Sequence, residues 1–291
     1  MGDMSGGSSS LLALIWQAYS AQSFAYVGLL SVRIAIVMFL TPLMLAFPVP
    51  GRVKVLLGVS ISVCLAQALS PHVTTLMLTP GQWIEAFSRE TALGLSMATG
   101  VLMAFSAFSM AGQLMDLQIG LGIAQVLDPG TNRPSPIISV GFSMLGVLLF
   151  FLLDGHHAML RGLAYSVDRF PVGAVWKVPT LSMQWLTTFA ELFGLGFVLV
   201  APAVLCLLVT EVALGIVARN LPQINMLTLG VPLKLAVGLA LLALWLPLMG
   251  GGAARVYKAM FDTWTAVFAA ADGASDRLRT VSALMTVGEV G

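Results

Sequence analysis

Charge is what this sequence has least of. Asp, Glu, Lys and Arg make up 9% of its 291 residues, against about 25% in an ordinary soluble domain. So few charges cannot cover a globule in water, and a soluble class is excluded. Those present nearly cancel, leaving a formal net charge of +1, and no basic run occurs. No nucleic acid or acidic polymer is therefore expected as a partner. Cysteine is scarce as well: Cys64 and Cys206 lie far apart inside apolar stretches, the pattern of free thiols acting as small hydrophobes. The N-terminus lacks a basic region. Met1 to Ser10 carries Asp3 and no cation, and the first basic residue is Arg33, so no cleaved signal peptide is expected. A phosphate-binding G-x-x-x-x-G-K-[ST] loop is also missing, which argues against nucleotide hydrolysis by this chain.

Hydrophobicity takes the place of charge, with 58% apolar residues and a mean hydropathy of +0.95. A transmembrane helix needs about 20 mostly apolar residues. Six apolar segments approach or reach that: Ile34–Phe47, Val55–Leu69, Thr91–Met115, Ile137–Leu153, Leu192–Thr210 and Leu235–Met249. The first two flank Pro48-Val49-Pro50-Gly51, a turn signal that predicts a helical hairpin. Thr79-Pro80-Gly81-Gln82 is a helix start, with Thr at N-cap, Pro at N1 and Gln at N3. Glu85 and Arg89 follow at the four-residue spacing of a helical ion pair. Run to Met115, that helix covers about 54 Å at 1.5 Å per residue, far more than a bilayer core of about 30 Å. A second long helix is expected from Ser182 to Arg219, interrupted only by Pro202. Leu192–Thr210 and Leu235–Met249 are expected to pair as an antiparallel hairpin, with Pro222 and Pro232 ending or kinking helices. Past Gly250-Gly251-Gly252, Tyr257, Met260, Phe261, Trp264, Val267, Phe268 and Ala271 recur at helical spacing. They predict an amphipathic helix lying on the membrane or docked on a partner.

No catalytic set stands out, and no enzyme, cofactor or metal is expected. Asp154, His156 and His157 are the one cluster of metal-type ligands in the sequence. Adjacent histidines on a helix should point apart, so a helix-end turn is the favoured reading. Charges embedded in apolar segments carry more information, since one at mid-membrane costs roughly 2.5–3.5 kcal/mol or more. Arg33, Glu191 and Glu211, with Asp116 at a segment end, are such residues. They are read as contacts between helices or subunits, with a proton or ion relay as the alternative. Ser96, Gly100, Ala104, Ala107 and Ala111 form a small-residue stripe that allows close helix approach, inside the chain or against another subunit. Met97, Met103, Met110 and Met115 crowd the same segment.

Two connections are unusual. Asp116-Leu117-Gln118-Ile119-Gly120-Leu121-Gly122-Ile123-Ala124-Gln125-Val126-Leu127-Asp128-Pro129-Gly130 is too apolar for a free loop and too rich in glycine for an assured helix. Arg219-Asn220-Leu221-Pro222-Gln223-Ile224-Asn225, leading to Gly230-Val231-Pro232-Leu233-Lys234, has the same character. Irregular backbone at membrane depth is tolerated where protein buries it or where it lines a cavity. Both point to a pore or a protein-buried hinge.

These motifs, in this order, resemble the FliR family of flagellar type III export-gate subunits, which is homologous to the SctT subunits of injectisomes. The resemblance rests on Asp116-x-Gln118-x-Gly120, Asp128-Pro129-Gly130, Asp154-Gly155-His156-His157, and Ser166 with Pro171 and Gly173. It continues through Ala201-Pro202, Glu211, Gly215, Arg219, Pro222-Gln223-x-Asn225, Gly230-x-Pro232-x-Lys234 and Gly238. Leu227 and Val167 depart from the family's usual Phe but stay apolar. The resemblance implies an all-α membrane-associated fold of long helices and helical hairpins. Residues 21–180 would be similar to a FliP subunit, with a plug loop over 116–136. Residues 181–271 would form a FliQ-like hairpin with an amphipathic extension, between a flexible prefix, 1–20, and a flexible tail, 272–291.

It implies further that Gln118, Ile119, Gly120, Leu121, Gly122, Ile123, Ala124, Asp128, Pro129 and Gly130 plug or gate a protein-conducting channel. Arg33, Asp116, Glu191, Glu211, Arg219, Gln223, Asn225 and Lys234 would supply polar contacts between helices or subunits. The implied partners are FliP-like and FliQ-like subunits in a hetero-oligomeric ring, a FlhB-like subunit, unfolded export substrates in transit and the lipid bilayer. The implied location is the bacterial inner membrane at the flagellar basal body. Two other classes compete with this reading. A secondary transporter for small solutes predicts internal repeats with paired broken helices, and no convincing repeat is present. An intramembrane enzyme needs paired Asp, Ser/His or zinc motifs that the sequence does not contain.

Overall fold

A computed structural model describes residues 21–45, 49–69, 79–120, 137–173, 182–220 and 226–287. Every regular element among them is helical: α1 (Ala21–Leu40), α2 (Pro42–Leu45), α3 (Gly51–Leu69), α4 (Pro80–Ile119), α5 (Ile137–Leu152), α6 (Gly155–Arg169), α7 (Ser182–Asn220), α8 (Met226–Trp245) and α9 (Gly250–Val287). Gly51–Leu69, Pro80–Ile119, Trp185–Asn220 and Leu229–Leu248 are long and apolar enough to cross a membrane. The pair α5 and α6, broken at Leu153–Asp154, would make a fifth span. Among the described residues this gives four candidate spans, or five with the bent pair, beside the shorter apolar helix Phe24–Leu40. The first expected segment, Ile34–Phe47, is divided at Thr41 because Pro42 has no N–H to give to Met38 O. Thr41 Oγ1 donates to that carbonyl instead, at 3.1 Å.

Local chemistry sets several other boundaries. At the start of α4 the Thr79 N–H donates to Gln82 Oε1 at 2.8 Å, half of a capping box. The helix then runs 40 residues, about 60 Å. It stops at Gly120, whose φ of 89° no β-carbon favours. α7 ends at Asn220, just before Pro222. Pro202 does not interrupt α7, and Pro232 lies within α8 rather than ending it. Each proline forfeits one backbone bond, a loss that neighbouring helices offset in apolar surroundings. Near Pro202, the Trp245 indole donates to Leu199 O at 2.8 Å.

The chain divides into two compact units. The first takes the described residues up to Thr99, Leu160–Leu181 and those from Trp264 onward. In it α3 packs on α1 and buries Gly58, Ser62 and Ala66, which stand four apart on one of its faces. Trp264 Nε1 donates to Met97 O at 3.1 Å. Its ring fills the space over Gly162, where a β-carbon would stand 2.5 Å from it.

The second unit takes Gly100–Met159 and Ser182–Thr263. Phe105, Phe108 and Phe150 surround Tyr257, whose hydroxyl donates to Gly146 O at 2.5 Å. Burial pushes the Tyr257 phenol well above its usual range, so it stays a donor. The apolar face of α9 is thus covered by the chain's own helices in both units. The expectation of a membrane-surface or partner-docked helix is corrected accordingly. The small-residue stripe also packs inside the chain, where Ala107 lies against Gly196 of α7. α7 and α8 pair as an antiparallel hairpin. Gly230 lies near Leu214, Lys234 bonds Glu211, Gly238 faces Leu207 and Trp245 reaches Leu199. One member of each pair rises in number as the other falls.

Candidate functional site

Arg33 is the largest fully buried side chain among the described residues. Leu29, Leu30, Ile34 and Val37 bury the same face of α1, which drags the guanidinium inside with them. All five of its N–H groups can be satisfied there. Nε donates to Glu90 Oε2 at 2.6 Å and Nη2 to Glu90 Oε1 at 3.0 Å, a bidentate ion pair. Nη1 donates to Ser166 O and Oγ at 3.0 and 3.2 Å, and Nη2 to Phe170 O at 2.9 Å. The Gly173 N–H adds a 3.4 Å contact to Glu90 Oε1. Gly94, one turn after Glu90, makes room: a β-carbon there would stand 3.0 Å from Arg33 O. One arginine thus ties α1, α4 and the C-terminal end of α6, in the geometry of a clasp.

Glu90 escapes sequence reasoning, because Glu85 and Arg89 present the more visible pair. Those two do form an ion pair, on the exposed side of α4. Glu90 lies about 100° around the helix from Arg89, on the face of Gly94, Met97 and Val101, all buried. That phase was the available signal. Ser166 and Gly173, noted only as motif residues, both touch the network.

In the second unit Asp116 accepts the Ile138 and Ser139 N–H groups at 3.2 and 2.9 Å. α5 thereby receives a carboxylate cap from α4, favourable for the positive end of a helix dipole. The two helices cross closely, with Ser139 Oγ donating to Ser109 O at 3.0 Å. Gly112 lies against the Ser139 backbone with no room for a β-carbon.

Gln118 and Ile119 belong to the last turn of α4. Ile119 is fully buried and packs where a β-carbon on Gly238 would be, 2.7 Å from Ile119 Cδ1. The chain therefore leaves the helix at Gly120 rather than at Gln118. Leu121, Gly122, Ile123, Ala124, Asp128, Pro129 and Gly130 lie outside the described residues, as do Gln223 and Asn225.

Glu211 and Lys234 pair at 3.0 Å across the α7–α8 hairpin. Glu191 and Arg219 are exposed on α7, without a partner among the described residues. Cys64 and Cys206 are free and exposed rather than interior. An open groove of about 270 Å³ between α4 and α7 is lined by Ser106, Ser109 and Gln113 facing Phe189 and Phe193. At the α5–α6 break, Asp154 adopts a left-handed φ of 56°. The His156 and His157 rings do not point apart, as expected from the sequence. Their centroids are 4.1 Å from each other.

The sequence pattern of the "bacterial export proteins, family 1" matches residues 24–260. The flagellar biosynthetic protein FliR of Pectobacterium carotovorum subsp. carotovorum is 31% identical over 79% of this chain and 88% of its own length. The protein of the same name from Aquifex aeolicus is 31% identical over 75% of this chain and 83% of its own. The Yop proteins translocation protein T of Yersinia pestis is 25% identical over 60% of this chain and 67% of its own.

Proposed function

This chain belongs to the bacterial export proteins, family 1, and we propose that it is a non-enzymatic subunit of the flagellar type III export gate in the inner membrane. The family match across residues 24–260 carries the reading. In finer detail, the chain closes a ring of FliP-like and FliQ-like subunits beside a FlhB-like one, and lines a path for unfolded substrates. The apolar faces of α3 and α8 support such an assembly. Only 17% of the apolar window of α3 and 11% of that of α8 is buried within the chain. Lipid or other subunits must cover the rest. The exposure of Glu191 and Arg219 on α7 supports a role for both in contacts with those subunits.

The connection from Gly120 to Pro136 is the proposed seal of the channel. Gly120, Gly122 and Gly130 permit turns, while Leu121, Ile123, Val126 and Leu127 supply bulk that excludes water. Deleting Leu121 to Val126 spares Ile119, which belongs to the core. The expected outcome is an assembled gate whose cells leak ions and small solutes. An assembled gate with wild-type permeability would remove the loop as the seal. The likeness to Yop proteins translocation protein T supports a second reading, the equivalent subunit of an injectisome. Restored motility in a flagellar null strain separates the two.

A further inference from the structure

We propose that Asp154, His156 and His157 form a divalent transition-metal site at the break between α5 and α6. The ions concerned are of the class that takes imidazole nitrogen with carboxylate oxygen: Zn²⁺, Ni²⁺ or Cu²⁺. The first observation is distance. Two ligand atoms on one tetrahedral zinc ion stand about 3.4 Å apart, given metal–ligand bonds near 2.0–2.1 Å. Asp154 Oδ1 and His157 Nδ1 are 3.3 Å apart. One ligand atom from each of the three residues fits within 4.8 Å of the other two.

The second observation is independent of that spacing. His156 Nδ1 is out of solvent and has no hydrogen-bond partner among the described residues. A buried polar atom without a partner calls for an explanation, and a bound ion is one of the few available. Asp154 and His157 are open to an arriving ion, with side chains 77% and 62% exposed.

The electrostatics are mixed but permissive. The site abuts the positive end of α6, which opposes a cation. The His157 and Ala158 N–H groups already donate to Asp154 O, at 3.0 and 3.2 Å, and the carboxylate supplies the negative charge. Binding would tie the last residue of the break to the first turn of α6, bracing the left-handed Asp154. Water would complete the coordination.

The test uses the full chain in detergent micelles, with any affinity tag removed. Zn²⁺ binding is measured by competition with a chromophoric chelator, and Cu²⁺ binding by electron paramagnetic resonance. We expect one ion per chain and nitrogen splitting from two imidazoles. His157→Ala should reduce that to one imidazole and weaken Zn²⁺ binding about tenfold or more, since losing even an outer partner of a ligand costs 10–100-fold. Asp154→Asn tolerates the left-handed backbone and should weaken binding similarly. His72→Ala is the background control and should change nothing. Circular dichroism confirms that the variants stay helical, and His157→Ala, at an exposed side chain, keeps the test valid if Asp154→Asn misfolds. Absence of stoichiometric binding would overturn the proposal. Unchanged affinity in the His156→Ala/His157→Ala double variant would overturn it equally, as would a spectrum with at most one imidazole.

Discussion

Arg33 shows how one buried charge is made tolerable. An arginine alone in an apolar interior would be prohibitive, and its attraction to Glu90 only roughly offsets the desolvation of both. The surplus comes from the Ser166 and Phe170 carbonyls, which occupy the donors that Glu90 leaves over. Removing one partner should therefore hurt more than removing both. Glu90→Ala is expected to cost about 3–5 kcal/mol, because it strands a buried guanidinium. Arg33→Met combined with Glu90→Leu should cost clearly less than the sum of the single changes. A double-mutant cycle on thermal unfolding of the purified assembly measures this. Additive losses would show that the two residues act separately. In the sequence Arg33 is visible as an anomaly, but Glu90 is not. Their meeting, 57 residues apart, depends on how α1 and α4 pack, which no local pattern encodes.

Among elements, close approach is decided by where side chains are missing. α4 and α5 cross at Gly112, Ser109 and Ser139, and Asp116 completes the contact by capping α5. Gly112→Ala is expected to cost at least the 1–3 kcal/mol typical of overpacking, because the obstacle is backbone rather than a movable side chain. Gly141, on the same α5, has open space where a β-carbon would stand, with no atom of a neighbouring element within 4 Å. Gly141→Ala should be neutral or stabilising, by up to about 1 kcal/mol, through helix propensity. Melting temperatures of the two variants check the contrast, and equal effects would contradict the crossing geometry. Helix starts and stops are legible in the sequence. Thr79, Pro80 and Gln82 announce α4, and Pro222 announces the end of α7. The capping of α5 is not, since Asp116 acts on a helix that starts after a long intervening connection. Pro42 is the sequence signal for the division of the first apolar segment at Thr41.

At the scale of the whole molecule, the chain leaves long apolar faces uncovered. Leu56 on α3, Val209 on α7 and Leu244 on α8 are each more than 60% exposed. The isolated chain is expected to aggregate outside detergent and to gain stability with its partner subunits. Cys64 on α3 and Cys206 on α7 report on those faces, because both thiols are free and exposed. A membrane-permeant maleimide should label both in the isolated, detergent-solubilised chain. Labelling of at least one should fall several-fold in the assembled gate. Equal labelling in both states would mean that no subunit covers these faces.

By itself the sequence determined the class of the protein. Its scarcity of charge and its long continuous apolar runs point to membrane helices, which satisfy every backbone group within their own segment, rather than to the alternating strands of a barrel. It also determined some helix ends, such as the start of α4 at Pro80, because proline and capping residues act through bonds only three or four residues away. Tertiary structure decided which polar groups meet. Glu90 turned inward to Arg33, Asp116 reached the start of α5, and the aromatic face of α9 was covered from within the chain. Those contacts join residues far apart in sequence, and their geometry follows from helix packing, in which a β-carbon missing at Gly94 or Gly112 decides what fits.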